Sequence, residues 1–255
     1  MRGKILLFII VTVLASCKTK QEPQSDKATP ATVEDSLPKD SVATNDSTEN
    51  QVAETEKAQA QAFLSLFKPM NPKGYHAYSP EFTGDMKVKT TQFRGVAIDA
   101  EKYHGLLNEK AVPYLESILK GYGGFFAIGK FDINPRYTGL VVRQHSQYSD
   151  TQVALLLWDK QRNQLIKGLE LADTFGDAGW FFDTESWITE YAPNGKLVIV
   201  SRTKNFDPNE DFTSGTVTDS TKVSRFNGGK FISTTTATSD TTKYKLKRWK
   251  QYKAD

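Results

Sequence analysis

The segment VALLLW, residues 153–158, is apolar at every position. A strand with one exposed face alternates apolar and polar side chains, whereas a strand that is covered on both faces is a continuous apolar run. Polar residues bound the segment, around Ser149-Asp150 before it and at KQRN, residues 160–163, after it. The segment therefore predicts a strand in the middle of a sheet that is covered on both sides.

The segments on either side predict three further strands. Residues 125–133 place apolar side chains on one face of an extended chain and polar side chains on the other. Asn134-Pro135-Arg136 is a turn signal, after which residues 138–146 return as a strand. Residues 164–172 follow the turn at 160–163. These spacings predict a four-stranded antiparallel meander.

Two more hairpins are expected in the second half of the chain, around Pro193-Asn194-Gly195 and Asn227-Gly228-Gly229. Asn and Gly tolerate the positive φ that tight hairpin turns require. The flanking strands are expected at residues 180–191 and 196–201 for the first hairpin, and at 222–226 and 230–236 for the second.

Helices are predicted only before this sheet. Residues 56–67 carry apolar side chains at helical spacing, and residues 113–120 do so before Gly121, which is a helix stop. Residues 86–98 alternate loosely and predict one or two strands. We therefore expect a mainly β domain, a twisted antiparallel meander sheet with one or two short N-terminal helices.

Residues 125–172, in which Trp158-Asp159 ends the apolar strand before a polar turn, resemble a β-propeller blade. The resemblance implies a small β-propeller as the alternative fold. The Gly-His that opens blades with this Trp-Asp pair is absent, and at about 40 to 45 residues a blade the domain holds about four. The open sheet is the main expectation.

Composition divides the chain into three parts, residues 1–16, 17–56 and 57–255. The last part holds 28 of the 29 Phe, Trp and Tyr residues, which predicts a single globular domain there. Residues 17–56 hold nine acidic and four basic residues and no aromatic residue. Such a segment buries too little apolar surface to offset the entropy of ordering its backbone, so we expect a disordered tether.

The N-terminus has the features of an export signal. Arg2 and Lys4 precede an apolar run at residues 5–13 that is too short to span a bilayer as a helix. The run ends in Leu14-Ala15-Ser16-Cys17, which resembles the lipobox of bacterial lipoproteins. The resemblance implies that residues 1–16 are removed and that Cys17 carries lipid, including acyl chains such as palmitate, which anchor the protein to a membrane of the cell envelope. Lys18 stands where an Asp marks inner-membrane retention in the family, which favours the outer membrane.

Few other residues point to a defined chemistry. The single cysteine excludes disulfides and cysteine-based zinc sites in the domain, and the chain has no Gly-x-Ser-x-Gly nucleophile motif. His76, His104 and His145 lack the spacing of paired metal ligands. We expect no cofactor and no metal, and the expected location argues against a nucleic-acid partner.

One acidic loop has a partial resemblance to a calcium site. Asp207, Asn209 and Asp211 have oxygen ligands at the first, third and fifth positions, as in a calcium-binding loop. Phe212 and Thr218 replace the glycine and the glutamate that such a loop needs. A solvated hairpin loop is the expected alternative.

The segment from Asp173 to Trp187 is the second acidic candidate. Asp183 and Glu185 could act as an acid and base pair on a sugar bond, with Trp180 and Trp187 as stacking surfaces. The alternative is a connection between strands in which both carboxylates face solvent and the aromatic side chains belong to the core.

The C-terminal segment, residues 243–253, is the densest basic run. On an edge strand its lysines would protect the sheet against aggregation. The alternative is contact with anionic envelope polymer or lipid headgroups.

Three classes of function therefore stay open. The favoured one is a lipid-anchored envelope protein whose domain binds or scaffolds a protein or polysaccharide partner without catalysing a reaction. The second is a glycan-binding or glycan-cleaving protein that uses the region from Asp173 to Trp187. The third is a structural protein that holds anionic polymer through its basic C-terminus.

Overall fold

Strands account for most of the structure, a computed structural model that describes residues 46–177, 180–208, 214–238 and 243–245. Within these residues the α-helices are α1 (Asp46–Ser65) and α2 (Leu115–Leu119). The strands, in chain order, are β1 (His76–Ala77), β2 (Val96–Ala97), β3 (Phe125–Asp132), β4 (Tyr137–Gln144), β5 (Gln152–Asp159), β6 (Gln164–Asp177), β7 (Trp180–Ala192), β8 (Lys196–Pro208), β9 (Ser214–Asn227), β10 (Lys230–Thr238) and β11 (Lys243–Lys245).

The strands form an open antiparallel meander in the order β10-β9-β8-β7-β6-β5-β4-β3-β2. The two-residue β1 pairs with β7, and β11 pairs with β9. This arrangement confirms the predicted fold class. The described strands are not divided into separate four-stranded blades, so the β-propeller alternative is not the fold of this domain.

Strand β6 joins two parts of the sheet. Its residues 164–172 pair with β5, and its residues 173–177 pair with β7. We call β2 to β5 with the first part of β6 the first sheet, and the rest of β6 with β7 to β10 the second sheet. Because one strand belongs to both, the second sheet is positioned relative to the first by the path of β6.

Strand β5 is buried along its whole length, as predicted. Ala154, Leu156 and Trp158 belong to a core that includes Phe63 of α1, while Val153, Leu155 and Leu157 belong to a second core. The second core includes Ile188 of β7 and Ile199 of β8. Helix α1 and residues 98–118, which include most of α2, therefore cover one face of the first sheet. The second sheet covers the other face together with Val88 and Phe93.

Helix α1 begins at Asp46, ten residues before the predicted start at Glu56. Its last turns bury Ala60 and Phe63, and Phe67 is buried just after it, as the spacing predicted. Five of the eleven residues 46–56 are Ala, Glu or Gln, which are good helix formers. The predicted disordered tether is therefore helical over residues 46–56, and its residues 17–45 lie outside the described residues. No described helix is both long and apolar enough to cross a membrane.

Other local expectations had mixed outcomes. Helix α2 is present and buries Leu115 and Ile118, and Gly121 follows it in the left-handed region with a φ of +76°. Of residues 86–98, where one or two strands were expected, only Val96–Ala97 is a strand. Both predicted hairpin turns are confirmed, and Gly195 has a φ of +98° in the first.

The hairpin strands are longer than predicted. Strand β6 continues to Asp177 where Ala172 was the expected end, β8 continues to Pro208, and β9 starts at Ser214. The residues added to β9 are rich in Ser and Thr, whereas those added to β6 and β8 are mostly charged, amide or aromatic residues. None of the three extensions has the apolar alternation of a predictable strand. Pairing with a neighbouring strand, rather than the local pattern, extends them.

The side chain of Asp159 closes the end of the central strand. It is fully buried and accepts hydrogen bonds from Arg136 Nη2 at 2.7 Å and from the backbone N–H of Gln161 at 3.0 Å. Hydrogen bonding from Arg136 lowers the pKa of Asp159. The Trp158-Asp159 pair thus combines a core aromatic side chain with a carboxylate that holds two neighbouring turns.

We predict that Asp159→Ala lowers the free energy of unfolding at pH 7 by about 1.5 to 3 kcal/mol, the range for hydrogen bonds to a charged group. Because the folded-state pKa is lowered, this contribution is fully present above the unfolded value of about 3.9 and is lost as the pH falls through the lower folded value. Urea unfolding at several pH values measures it, with exposed Gln161→Ala as the control. If the difference in unfolding free energy between the native chain and Asp159→Ala stays the same at pH 2, the result would contradict the ion pair.

Candidate ligand-binding face

Alternation along β7 separates the residues of the predicted acidic site. Asp183, Glu185 and Trp187 lie on one face of the strand, and Trp180 lies on the other with Phe182. The register with β8 is regular from Phe181 to Ile188, so no bulge reverses this order. We call the face of the second sheet that carries Ile188 the inner face and the opposite one the outer face. Trp180 and Trp187 therefore cannot flank one sugar bond together with Asp183 and Glu185.

On the outer face, His76 joins the predicted acidic pair. Its Nε2 lies 3.0 Å from Glu185 Oε2, and its ring stacks on Trp187 with 4.6 Å between centroids and 8° between planes. Burial raises the pKa of Asp183, and the charge of Glu185 adds to this effect. This group places the carboxyl of Asp183, whose pKa is raised, on the same face as a glutamate that is hydrogen-bonded to a histidine.

Basic residues on β8 balance the charges of the outer face. Lys204 is directly opposite Asp183 in the register, and Arg202 is opposite Glu185. Arg202 Nε in turn donates to both carboxylate oxygens of Asp219 at 2.9 Å. Opposite charges across neighbouring strands stabilise a sheet, so this face has the composition of a stabilising charge ladder.

The inner face changes in character along the strands. Near the core its side chains are apolar, farther along they carry hydroxyl and amide groups, and at the end of the β6–β7 hairpin they are aromatic. Successive rows across β7, β8 and β9 are Ile188, Ile199 and Ser224; Ser186, Ser201 and Lys222; Thr184, Thr203 and Ser220; Phe182, Asn205 and Thr218.

Hydrogen bonds across the strands satisfy the hydroxyl groups nearest the core. Ser186 Oγ donates to Ser201 Oγ at 2.8 Å, and the Oγ1 atoms of Thr184 and Thr203 are 2.9 Å apart. Ser186, Ser201 and Thr184 are buried, while Thr203 is half-buried. The hydroxyl rows thus pass from the interior toward solvent.

An aromatic cluster, which we define as Tyr148, Phe175, Trp180 and Phe182, continues the inner face beyond these rows. The centroid of Phe175 is 5.4 Å from that of Trp180 and 5.1 Å from that of Tyr148, and Trp180 is 5.6 Å from Phe182. Tyr148 is 67% exposed, and the other three rings are half-buried. The cluster therefore offers ring surface to solvent beside hydroxyl and amide groups.

Two carboxyl groups lie next to the hydroxyl rows. Asp173 pairs with Thr184 in the register and is buried, and Glu170 is exposed. Gln152 Nε2 donates to Glu170 at 3.0 Å and lies 3.4 Å from Asp173. Desolvation by the surrounding protein raises the pKa of both carboxyls, and for Glu170 the charge of Asp173 adds to the rise while Lys222 opposes it.

The sequence patterns did not indicate Tyr148, Glu170 or the hydroxyl rows as one site. Tyr148 lies in a polar connection, and Glu170 lies in a strand with no motif. Their proximity depends on the bend of β6, which no local pattern shows.

The remaining predicted site residues are not brought together. Asp207 is exposed at the end of β8, and Asn209 and Asp211 lie outside the described residues, as do Cys17 and the basic residues after Lys245. In the part of the chain that is described, no group of three or more His, Cys, Asp or Glu side chains is placed to hold a metal ion. His104 is exposed, and buried His145 has Nδ1 3.3 Å from Asp150 Oδ1.

No protein-family model matches the chain, and neither the curated proteins nor the solved structures include one with significant similarity to it.

The raised pKa of Asp183 has a testable consequence for stability. A carboxyl whose pKa is raised on folding makes the protein less stable as the pH rises through the folded value. We expect Asp183→Asn to improve stability relative to the native chain more at pH 7 than at pH 4, measured by urea unfolding.

Asp219→Asn is the matched control, since hydrogen bonding from Arg202 lowers the pKa of Asp219. Its carboxylate contributes stability at both pH values, so this substitution should cost stability at pH 7 and still do so at pH 4. Equal responses of the two variants to pH would contradict the burial of Asp183.

Proposed function

We propose that this chain is a lipid-anchored cell-envelope protein whose β-sheet domain binds a carbohydrate ligand on its inner face. The observation that carries the proposal is the aromatic cluster beside rows of hydroxyl and amide groups. Sugar rings have apolar C–H faces that stack on aromatic side chains, and hydroxyl edges that need hydrogen-bond partners. The inner face offers both kinds of contact within one surface.

The charges beside this surface favour a neutral carbohydrate. The carboxyls of Glu170 and Asp173 are accompanied by Lys222, and Lys167 also interacts with Glu170. Glu170 and Asp173 are matched in number by Lys222 and Lys167, and Asp177, in register with Trp180, adds one exposed acidic residue. The surface therefore has no concentrated charge that would select a strongly charged polymer. Polar groups that are buried in a site fix the orientation of a ligand and supply its specificity.

The N-terminal residues support the membrane location. Leu14-Ala15-Ser16-Cys17 follows a charged flank and a short apolar run, and no other cysteine competes for modification. With several acyl chains at about 0.8 kcal/mol per buried methylene, such an anchor holds a protein stably on a membrane. The outer membrane is the proposed location in a bacterium that has one, with the binding domain held on a tether.

We expect Cys17→Ala to move the protein from the membrane fraction to the soluble fraction, because the variant has no sulfur to receive lipid. Immunoblots of separated fractions measure the change, and metabolic labelling with an alkyne fatty acid should label only the native chain. Ser16→Ala, which keeps a small residue before the cysteine, is the control. Labelling of the Cys17→Ala chain would contradict lipid attachment at this residue.

We expect Trp180→Ala to weaken carbohydrate binding by about tenfold or more, since tenfold corresponds to 1.4 kcal/mol and one aromatic pair contributes about 0.5 to 1.5 kcal/mol beyond its buried area. The full-length chain in detergent would be titrated against an array of neutral and acidic envelope oligosaccharides.

Tyr122→Ala is the control for this experiment, because Tyr122 is 75% exposed and lies outside the aromatic cluster. Thermal unfolding of both variants shows whether the domain stays folded. No binding by the native chain, or equal losses in the two variants, would reject the inner face as a carbohydrate site.

A further inference from the structure

The connection between β4 and β5, residues 145–151, reaches from the first sheet to the aromatic cluster. The Ser146 N–H donates to the carbonyl oxygen of Ser149 at 2.7 Å, which closes a tight turn. Tyr148 lies within this turn and is 67% exposed, whereas Ser146 and Thr151 at its two ends are buried. The turn thus exposes the Tyr148 ring, while the residues at its two ends are fixed in the protein interior.

Asp173 of β6 holds both ends of this turn. Its Oδ2 accepts a hydrogen bond from Ser146 Oγ at 2.6 Å, and its Oδ1 accepts one from Thr151 Oγ1 at 3.0 Å. The backbone N–H of Thr174 also donates to Oδ1, at 2.9 Å. Asp173 is only 3% exposed, so a ligand does not need to touch it for it to affect the site.

Strand β6 carries both Asp173 and Phe175, the ring on which Tyr148 stacks. Phe175 is two residues farther along β6, and it shares the inner face with Asp173 because alternate residues point to one side. The rings of Tyr148 and Phe175 are stacked, with 5.1 Å between centroids and 22° between planes. One carboxylate and one ring on β6 therefore determine where Tyr148 lies.

We propose that Tyr148 is a specificity-determining contact of the carbohydrate site and that Asp173 is its positioning residue. The inference rests on the proposed function. Tyr148 supplies ring surface on Phe175 of β6, and β7 lies between this strand and the hydroxyl rows of β8 and β9. A sugar that stacks on the cluster meets this ring only when the turn is held against β6. Loss of Asp173 then weakens binding through Tyr148, without loss of a direct contact.

A double-mutant cycle on the full-length chain in detergent tests the inference. The probe is the oligosaccharide of the array that the native chain binds most tightly. We expect Tyr148→Ala to weaken binding about tenfold and Asp173→Asn to weaken it by a similar factor. In the Tyr148→Ala background, Asp173→Asn should have almost no further effect. If the affinity loss of the double variant equals the product of the two single-variant losses, Asp173 does not act through Tyr148 and the positioning role is overturned.

A second measurement needs no ligand. Asp173→Asn should accelerate amide hydrogen exchange at Ser146 about tenfold or more, because the turn loses a charged acceptor at its base. Thr151→Val removes one hydrogen bond while it keeps the carboxylate and should have a smaller effect in the same direction. Glu170→Gln is the matched control, because Glu170 accepts from Gln152 and not from the turn.

The two measurements separate the inference from the proposed function. If no oligosaccharide binds the native chain, the proposed function fails, and the role of Tyr148 in selecting a ligand fails with it. The exchange data still decide whether Asp173 positions the turn. Unchanged exchange at Ser146 in both Asp173→Asn and Thr151→Val would overturn that role whatever the array shows.

Discussion

The burial of both faces of β5 is the constraint on which the rest of the structure depends. Leu156 and Trp158 on one face and Leu155 and Leu157 on the other must all be removed from water. Helix α1 and residues 98–118, which include most of α2, cover the first face. The second face is covered by later strands of the same meander together with residues of the segment before the sheet, such as Val88 and Phe93. The later strands reach this face because β6 passes from one sheet to the other. The chain folds back over its own central strand because both faces of β5 must be buried.

The same arrangement accounts for the inner face. Where the second sheet packs on the first, its inner side chains are apolar, as at Ile188 and Ile199. Farther along the same strands there is less protein opposite, and hydroxyl, amide and aromatic side chains replace the aliphatic ones. Burial of a polar group is costly unless it has a hydrogen-bond partner, which explains the pairing of Ser186 with Ser201. The proposed binding surface is thus the continuation of the core face beyond the core.

The two faces of β7 carry different properties because strand residues alternate. The outer face combines carboxylates with His76, Lys204 and Arg202 in a nearly balanced set. The inner face combines aromatic rings with hydroxyl groups. A single segment of sequence therefore contributes to two chemically distinct surfaces, and Trp180 and Trp187 belong to different ones. Asp173, at the bend of β6, connects the inner face to a turn of the first sheet.

Local periodicity and turn chemistry were enough to establish the β class, the central strand at residues 153–158, both hairpin turns and the burial of Phe63. These features depend on neighbours in the chain. The ends of β6, β8 and β9 did not follow from any pattern, since the mostly polar residues there become strand residues only when a partner strand pairs with them. The meeting of Glu185 with His76, which is 109 residues away, and of Tyr148 with Phe175 was decided by the tertiary structure alone. Such contacts depend on how the sheet bends and on which faces are covered, and the energies of both are properties of the whole packed domain.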